Sequence, residues 1–356
     1  MTDDRNSDSP APPAQASAYS LTLNELAAIC RDAGAPPFRA RQIWRGLYVR
    51  NAPDWNAMTD LPAQLRTVLA RRLRLGTETV LARDGAPDAA AKLLIGLADG
   101  ERIESVLIPA PRRLTICLSS QVGCRYRCAF CASGQAGFRR HLGADEIVAQ
   151  YMLAWRETGT KPTHTVFMGI GEPLDNLDNV LAAVRILNDG DGLRVAARRI
   201  TISTCGVIPG IERLAALPLQ IELSVSLHAP DNALRSRLMP ANRKWPLADV
   251  LRACDAYAKR TGRIVTFEYT LVRGVNDAPA QANALARLLE GRACRVNLIP
   301  LSPVPEYDGA PASSRVARQF IAALRARGLN ATLRASRGAN VHAACGQLRA
   351  RAATND

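Results

Sequence analysis

From residue 113 onward, the chain alternates between two patterns of hydrophobic residues. Short apolar runs rich in β-branched residues predict six strands, and longer segments with apolar residues three or four positions apart predict a helix after each strand. The predicted strands are RLTICLSS, THTVFMG, RRITIST, QIELSVSL, RIVTFEYTLV and CRVNLIPL. The predicted helices are ADEIVAQYMLAWRE, NLDNVLAAVRILN, IPGIERLAAL, LADVLRACDAYAKR, PAQANALARLLEG and VARQFIAALRARG. This succession predicts an α/β fold whose parallel sheet is either open or closed into a partial barrel.

Residues 20–75 carry a helical pattern throughout. Between residues 31 and 74, nine arginines stand against three aspartates. Four aromatic residues are interleaved with them: Phe38, Trp44, Tyr48 and Trp55. Basic and aromatic side chains together can clamp and stack RNA, but the same segment also fits a small helical bundle with a solvated arginine face. The sequence alone favours neither interpretation.

Residues 78–110 change to an extended pattern. The segment AKLLIGLADGERIESVLIPA has two apolar runs on either side of Asp99-Gly100, a dipeptide typical of a hairpin turn. We expect a short antiparallel extension that leads into the main domain.

Charge and composition favour a nucleic-acid partner. The chain has 46 Lys and Arg against 32 Asp and Glu, a net charge of +14. Such a balance favours a polyanion, although arginine used as ordinary surface would give the same count. No apolar run approaches the roughly 20 residues of a membrane helix. The N-terminal MTDDRNSDSPAPPAQAS lacks the apolar core of a signal peptide and has a composition typical of disorder. We therefore expect a cytoplasmic protein that does not enter a membrane.

The cysteines point to a metal site. Their number, nine, is odd, which argues against a disulfide framework. Cys124, Cys128 and Cys131 form a C-x3-C-x2-C motif. Zinc usually needs four ligands, commonly paired C-x2-C units, and the chain has no second pair and only four histidines. Three close thiolates suit a 4Fe-4S cluster with one open iron, which can bind S-adenosylmethionine (SAM) through its amino and carboxylate groups.

The remaining cysteines differ in surroundings. Ordinary buried side chains are expected at Cys30, Cys205, Cys254 and Cys294. Cys117 lies on the first predicted strand, seven residues before the motif. Cys345 lies in AACGQL on a basic segment that looks mobile, where nearby arginines are expected to lower its pKa and make it nucleophilic.

Other distinctive residues fall where the predicted strands end, which is the edge where α/β folds form active sites. In MGIGEP the glycines would let backbone approach the methionine part of SAM, and Glu172 could accept its ammonium. The same segment fits a strand-to-helix turn with Pro173 in the first turn. His228, at the end of the fourth strand, suits a structural hydrogen bond and a site role equally, whereas structural roles are expected for His141, His164 and His342.

An ordered set of motifs resembles the RlmN/Cfr family of radical-SAM RNA methyltransferases. The motifs are FRARQIW, DGxxIESVLIP, SSQVGCxxxCxFCxSG, FMGIGEP, STCGVIP, SLHAP, LMPxN, FEYTLVxGVND, VNLIP and RGxxxxAACGQL. They cover nearly everything from residue 20 to 348. The resemblance implies a partial (β/α)6 TIM-like radical-SAM barrel with a small N-terminal helical domain and a short β extension.

The resemblance also implies a division of the chain. Residues 1–18 would be a disordered tail, 19–76 a helical RNA-binding accessory domain and 77–110 a β-hairpin extension. Residues 111–348 would be the barrel with a C-terminal loop carrying the catalytic cysteine, followed by a tail at 349–356.

The mechanism that the resemblance implies uses two SAM molecules. One methylates Cys345, and a second, on the open iron of the cluster held by Cys124, Cys128 and Cys131, gives a 5′-deoxyadenosyl radical that removes hydrogen from that methyl group. The carbon radical then attacks an electron-poor carbon of adenine. Glu104 matches the proton acceptor, and Cys117 matches the thiol that resolves the protein–RNA adduct through a transient disulfide with Cys345. The positions that match SAM contacts are Gly171, Glu172, Ser203, Ser226, Leu227, His228 and Ser302.

Several residues depart from the family pattern and bear on the substrate rather than on the reaction. They are Ser302 in place of Asn, Ser133 in place of Thr, His141 in place of Asn, Asn340 in place of an acidic residue, His342, and a basic loop at Arg125-Tyr126-Arg127. The expected substrate is carbon 2 of an adenine in large-subunit ribosomal RNA and, by extension, tRNA. The alternatives are carbon 8 or another RNA, and an RNA-binding protein whose cluster is structural. We further expect a monomer that takes electrons from a flavodoxin or ferredoxin.

Overall fold

The computed structural model describes residues 15–86, 88–334 and 343–348. The chain divides into two compact units, Met1–Gly76 and Thr77–Asp356. Among the described residues the longest helices have 15 residues, and none combines the length and apolar character needed to cross a membrane.

The first unit is helical. Its helices are α1 Leu23–Asp32, α2 Arg39–Tyr48 and α3 Ala63–Arg72, and its two short strands are β1 Ala16–Ser17 and β2 Leu73–Arg74. Helix α1 begins with a capping box, in which the Thr22 hydroxyl accepts from the Glu25 N–H and the Glu25 carboxylate accepts from the Thr22 N–H. Residues 16–18, which the sequence places in a disordered tail, are ordered here, because β1 pairs with β2 in parallel and Ala18 is fully buried. Residues 1–14 and 349–356 lie outside the described residues.

Three of the four aromatic residues that are interleaved with arginines belong to the core of this unit. Trp44, Tyr48 and Trp55 are buried, the Trp44 and Tyr48 rings lie 4.5 Å apart edge to face, and the Trp55 Nε1–H donates to the Leu73 carbonyl. Only Phe38 is exposed, with the Arg39 guanidinium 4.9 Å from its ring centre. The interleaved pattern is therefore explained mainly by packing, and Phe38 is the one of these rings that can stack on a nucleobase.

The second unit contains a ten-stranded sheet and a two-stranded hairpin. Its strands are β3 Thr79–Asp84, β4 Ala91–Gly96, β5 Arg102–Ala110, β6 Arg113–Cys117, β7 Gln121–Gly123, β8 Phe138–His141, β9 His164–Phe167, β10 Ile200–Thr204, β11 Glu222–Ser226, β12 Val265–Leu271, β13 Cys294–Pro300 and β14 Ala331–Leu333. Its helices are α4 Ala132–Gln135, α5 Ala144–Thr158, α6 Leu177–Asn188, α7 Ile208–Ala215, α8 Asn232–Leu238, α9 Leu247–Thr261, α10 Pro279–Leu289 and α11 Ser314–Ala326.

The sheet order is β14-β13-β12-β11-β10-β9-β6-β5-β4-β3. Strands from β6 through β9 to β14 are parallel, and β3, β4 and β5 are added to them in antiparallel fashion. The six predicted strands are β6, β9, β10, β11, β12 and β13. The sequence did not predict β14, which has only three residues. The predicted antiparallel extension has three strands and continues the main sheet. The order is linear, so the sheet formed by the described strands is open.

The two faces of the large sheet differ in polarity. Strand register places Ser226, Glu268, Asn297 and Thr332 in one row across β11 to β14. Cys117 lies on the same face. Strand register aligns it with Val166, Thr201 and Glu222 across β6 to β11, and Glu222 shares its face of β11 with Ser226. We call this the inner face. The opposite face carries apolar residues such as Ile202, Val225, Phe267 and Leu298, which are almost fully buried. Buried hydroxyl, thiol and carboxylate groups therefore collect on one side of the sheet.

Candidate active site

The three cysteines of the C-x3-C-x2-C motif lie on the loop of residues 124–131, which we call the cysteine loop. The loop follows β7 and precedes α4, and β7 pairs with β8 in an antiparallel hairpin. Gly123, at its start, has a φ of +73°, and a Cβ there would come within 1.6 Å of the Gly137 carbonyl oxygen. Only glycine permits this close approach of the hairpin backbones. The Ala129 N–H donates to the Leu238 carbonyl, which fixes the far side of the loop to the end of α8.

All three cysteines line one open cavity with an empty volume of about 960 Å³, which we call the main cavity. Burial raises the pKa of Cys124 to about 12 and raises that of Cys128 well above its usual value, so thiolates there require a bound cation. Among the described residues, no three His, Cys, Asp or Glu side chains form a site for a single metal ion. A cubane cluster differs from a single ion, because each cysteine binds a different iron. The donor set of three thiols at one cavity wall fits such a cluster.

Six of the seven residues predicted to contact SAM line the main cavity. They are Gly171, Glu172, Ser203, Ser226, His228 and Ser302. Leu227 does not line it: its side chain is fully buried, and its backbone N–H donates to the Glu268 carbonyl. The cavity forms at the carboxyl ends of the parallel strands, as α/β folds require.

Glu172 is held by backbone groups at the wall of the main cavity. One carboxylate oxygen accepts from the Leu174 N–H at 3.0 Å and the other from the Cys205 N–H at 2.8 Å. Burial raises its pKa, while these backbone hydrogen bonds act in the opposite direction. Gly171 has a φ of +105°, and a Cβ there would lie 2.6 Å from the Gln121 side chain. Glu172 therefore organises the turn and also lines the main cavity, but Pro173 does not lie in the first turn of a helix. The helix itself begins later, at Leu177.

His228 is neutral and firmly oriented. Its Nδ1 accepts from the Thr270 N–H at 2.9 Å, so the ring proton lies on Nε2. Burial lowers its pKa to about 3, and its ring meets Phe130 of the cysteine loop edge to face at 4.8 Å. Its φ is +56°, in the left-handed region. His228 therefore makes a structural hydrogen bond, as the sequence allowed, and also lines the main cavity.

Residues 343–348 are docked against the cysteine loop, although the sequence suggested a mobile segment. The Ala132 N–H donates to the Gly346 carbonyl at 2.7 Å, and the Gln347 side chain donates to the Pro303 carbonyl at 3.0 Å. The Ser133 hydroxyl donates to the Leu348 carbonyl at 2.6 Å. Ser133, a departure from the family's threonine, thus supplies a hydroxyl that anchors this segment.

The docked segment brings Cys345 beside Cys117. Both line a second, mostly apolar cavity, which we call the thiol cavity. Its apolar lining consists of Val106, Ile108, Val166, Met168, Ile299, Ala343, Ala344 and Leu348. Cys345 also lines the main cavity and therefore lies where the two cavities meet.

The pKa values of the two thiols correct the prediction made for Cys345. Cys345 is exposed to the cavities it lines, but the protein atoms packed around its thiol raise its pKa by desolvation, and only part of this effect is offset by Arg334. Burial also raises the pKa of Cys117 to about 12. The prediction that arginines make the Cys345 pKa low is therefore wrong in sign, because the apolar wall outweighs one guanidinium.

Glu104 lies on the inner face of β5, two residues before Val106, which pairs with Cys117. It lines neither cavity in this structure. Its side chain is 1% exposed and forms an ion pair with Lys92 on β4 at 3.2 Å. The carboxylate is thus held on the same face as Cys117 by a cation that the sequence reasoning had missed.

The basic cysteine loop is tied to the turn after Glu172. Arg125 forms an ion pair with Asp175 at 2.9 Å, and Gln121 also donates to Asp175. His141 Nδ1 lies 3.1 Å from the Gln121 side-chain nitrogen, so this departure takes part in the same polar network. Asn340 and His342, the other two departures, lie outside the described residues.

Sequence reasoning missed several residues that organise the site. Arg235 is fully buried and donates to the Cys205 carbonyl at the end of β10 and to the Ser226 and Leu227 carbonyls at the end of β11. Glu268 and Arg334 line the main cavity. An arginine in a short amphipathic helix carries no signal that separates it from surface arginines, whereas Glu268 stands inside the apolar strand FEYTLV and could have been noticed. Of the cysteines taken as ordinary, Cys30 and Cys254 are buried, Cys294 is half-buried, and Cys205 is buried but lines the main cavity.

Comparisons with known proteins agree with this geometry. A sequence model of the Radical SAM superfamily matches residues 118–284, and one described as the ribosomal RNA large subunit methyltransferase N-terminal domain matches residues 19–75. The chain is similar to a probable dual-specificity RNA methyltransferase RlmN of Moorella thermoacetica, with 48% identity over 92% of this chain and 96% of that protein. The protein of the same name from Symbiobacterium thermophilum is 46% identical over 93% of this chain and 91% of its own length.

A solved structure shows the same fold. The crystal structure of a radical SAM methyltransferase from Sphaerobacter thermophilus matches with a TM-score of 0.92 and 47% identity, over 94% of this chain and all of that one. The predicted fold class, an α/β fold with a radical-SAM domain, is thereby confirmed. High identity over nearly the whole chain extends the likeness beyond fold to family. The chain belongs to the RlmN family of radical-SAM methyltransferases.

Proposed function

We propose that this enzyme methylates carbon 2 of an adenine in large-subunit ribosomal RNA and in tRNA, with a methyl group carried on Cys345. The single observation that carries the proposal is the pairing of Cys345 and Cys117 in the thiol cavity, which adjoins the main cavity with its three cysteines. A methyl carrier and a resolving thiol must reach each other, and this arrangement brings them to one small space. The curated relatives are named for RNA methylation with dual specificity.

The main cavity fits the cofactors of this family. Cys124, Cys128 and Cys131 would hold the 4Fe-4S cluster, and the SAM contacts would come from the six cavity residues at the strand ends together with Leu227 through its backbone. Glu172, buried at the cavity wall, would accept the SAM ammonium with the lone pairs that its two backbone donors leave free. When bound, the cluster and SAM supply the methyl group and the one-electron chemistry that removes a hydrogen atom from the methyl group on Cys345.

The chain's own residues would perform the remaining steps. The Cys345 thiol loses its proton and takes a methyl group from SAM. After hydrogen removal, the carbon on Cys345 bonds to the adenine ring, Glu104 accepts the proton that the ring carbon must release, and the unpaired electron of the adduct would pass to the cluster held by the three cysteines of the cysteine loop. The Cys117 thiolate then attacks the Cys345 sulfur, which forms an S–S bond and breaks the C–S bond to the RNA, and the released carbon takes up a proton to become the methyl group of the product. Each thiol is neutral at rest because the thiol cavity is apolar, so deprotonation is coupled to the reaction.

Two further observations support RNA as the substrate. The chain carries a net charge of +14, and the first unit retains an exposed Phe38 beside Arg39. We propose that residues 19–76 act as an RNA-binding accessory domain. We also propose that the enzyme works as a monomer and receives electrons from a flavodoxin or ferredoxin.

The test is mass spectrometry of digested ribosomal RNA and tRNA from strains with and without the gene. Loss of 2-methyladenosine in the deletion strain, restored by the wild-type gene, is the expected result, and fragment mapping then locates the nucleotide. Loss of a different methylated adenosine would contradict carbon 2 and leave the carrier mechanism in place. An unchanged modification profile would contradict the proposed function.

A further inference from the structure

Glu268 is a buried carboxylate with one oxygen held and the other free. It lies in the middle of β12 on the inner face of the sheet and is 5% exposed. Oε1 accepts from the Ser224 hydroxyl at 2.8 Å and from the Asn297 side-chain amide at 3.1 Å. Oε2 is buried and has no hydrogen-bond partner among the residues that the structure describes.

The orientation of this carboxylate is fixed by its neighbours. The Thr332 hydroxyl donates to Asn297 Oδ1 at 2.6 Å, so the amide nitrogen of Asn297 must face Glu268. Asn297 and Ser224 lie on the strands that flank β12. The two neighbours therefore hold Oε1 from opposite sides, and the rotation of the carboxylate that would exchange its oxygens is not favoured.

An unpaired carboxylate oxygen in this position needs a donor. An ionised carboxylate only accepts hydrogen bonds, and leaving such an acceptor buried and unpaired is costly. Glu268 lines the main cavity, so a molecule in that cavity can supply the donor. Arg334 lines the same cavity, but no hydrogen bond or ion pair joins it to Glu268 in the described part of the chain.

The chemistry of the cavity narrows the choice of donor. A carboxylate group, such as that of methionine, would be repelled by Glu268. An ammonium has its acceptor in Glu172, which stands in the turn after β9, while Glu268 stands on β12, three strands away in the sheet order. The donors that remain are neutral hydroxyl and amine groups. An adenosine group carries both, in its ribose hydroxyls and its exocyclic amine.

We propose that Glu268 Oε2 accepts a hydrogen bond from an adenosine group bound in the main cavity. The inference rests on the proposed function insofar as that function brings two adenosine groups to this cavity, one in SAM and one in the RNA. Both sources offer the same donors, and binding measurements with each one separately distinguish them.

The substitution Glu268→Gln tests this contact with little change of shape. Because Ser224 and Asn297 both donate to Oε1, the glutamine carbonyl takes that position and its NH2 group replaces Oε2. A donor then faces the donor of the ligand. A lost charge-assisted hydrogen bond of this kind weakens binding by about 10- to 100-fold.

Two dissociation constants are measured for the anaerobically prepared, cluster-loaded enzyme. One is for SAM without RNA, and the other is for a transcript of large-subunit ribosomal RNA without SAM. Weakening of SAM binding alone supports the proposal and assigns Glu268 to the cofactor, and weakening of RNA binding alone supports it and assigns Glu268 to the substrate. Two constants within twofold of wild type, with unchanged cluster absorbance, would overturn it and leave Oε2 to water.

Glu222→Gln is the matched control. Glu222 is a second carboxylate on the inner face, but it pairs with Arg263 and Arg295 and does not line the main cavity. This variant should bind SAM and RNA as the wild type does, even if it is less stable. If Glu268→Gln does not fold, Glu268→Asp keeps the charge and withdraws the oxygen, and the same loss of binding is expected.

The result of these binding measurements can be told apart from the result of the test of the proposed function. Methylated RNA is measured in the wild type alone, whereas the binding constants require no turnover. Weakened SAM binding in an enzyme that makes no methyladenosine would support the role of Glu268 and reject the function.

Discussion

The main cavity and the thiol cavity meet at Cys345 but differ in chemical character. The main cavity combines carboxylate, imidazole and hydroxyl groups from the strand ends with the three cysteines of the cysteine loop and with apolar side chains such as Phe130, Phe167 and Leu301. The thiol cavity is lined by aliphatic side chains, with Ser302 and Arg334 as its polar residues besides the thiols. The polar groups at the strand ends suit a charged cofactor, and the aliphatic side chains around Cys117 and Cys345 keep these thiols neutral until they react. We infer that cofactor binding and thiol chemistry are divided between these two adjoining cavities.

This division depends on the docking of residues 343–348. Ala343, Ala344 and Leu348 line the thiol cavity, while Cys345 and Gly346 line the main cavity. The segment is held by hydrogen bonds from Ala132 and Ser133, which directly follow the cysteine loop. Cys345, the proposed methyl carrier, is therefore positioned by the same part of the chain that carries the three cysteines of the motif.

The largest effect is expected from removing the thiol shared by the two cavities. Cys345→Ala should reduce RNA methylation by more than about 1,000-fold, because no other group can carry the methyl. Methyl transfer to RNA is measured by mass spectrometry of the product nucleosides. Cys254→Ala is the matched control, since Cys254 is buried in α9 and lines neither cavity. Normal turnover by Cys345→Ala would end the idea that Cys345 carries the methyl group.

Removing the other thiol should stop the reaction after the RNA has become bonded to Cys345. Cys117→Ala keeps Cys345 and the main cavity intact, so the RNA should become bonded to the protein and remain there. We expect a covalent protein–RNA species that survives denaturing electrophoresis and amounts to no more than one RNA per protein. The double variant Cys117→Ala/Cys345→Ala serves as the control and should give none. Multiple turnovers without an adduct would count against Cys117 as the resolving thiol.

A smaller effect is expected at the ion pair beside the thiol cavity. Lys92→Met removes the cation that pairs with the buried Glu104, so the carboxylate should be less well positioned to accept a proton from the RNA. We expect the release of methylated RNA to slow by about 10- to 100-fold. Lys92→Arg preserves the cation and should retain most of the rate. An unchanged release rate in Lys92→Met would show that the ion pair is only structural.

The periodic part of the fold could be predicted from the sequence because it depends on repeated local patterns. All six apolar runs became parallel strands and all six amphipathic segments became helices. The strand β14 and the hairpin of β7 and β8 were missed. They have only three or four residues each, too short for a period to show.

Parts of the site could be predicted where the residue types alone limit the chemistry that is possible. The C-x3-C-x2-C motif and MGIGEP could be assigned from their sequence, and the structure places both at one cavity. Burial was not predictable in the same way. It decided that Trp44 and Tyr48 pack in a core and that the pKa of Cys345 rises despite Arg334, because desolvation depends on distant segments that the sequence does not bring together.

The smallest effect is expected at His228, a polar residue of the main cavity that is neutral when folded. Burial lowers its pKa from 6.5 to about 3. Between these values the unfolded chain binds a proton that the folded chain does not, so this group lowers the free energy of unfolding as the pH falls below 6.5. At pH 5 the loss attributable to His228 is about 2 kcal/mol relative to pH 7.

The variant His228→Asn should remove that pH dependence. Asparagine tolerates the φ of +56° at this position, and its side-chain oxygen can accept from the Thr270 N–H as Nδ1 does. Urea unfolding of the cluster-free wild type and variant is measured at pH 7 and pH 5. The wild type should lose more stability than the variant over this interval, and equal losses would mean that the His228 ring is protonated in the folded chain. In that case the main cavity would carry a cation among its acceptor groups, and its contrast with the neutral thiol cavity would weaken.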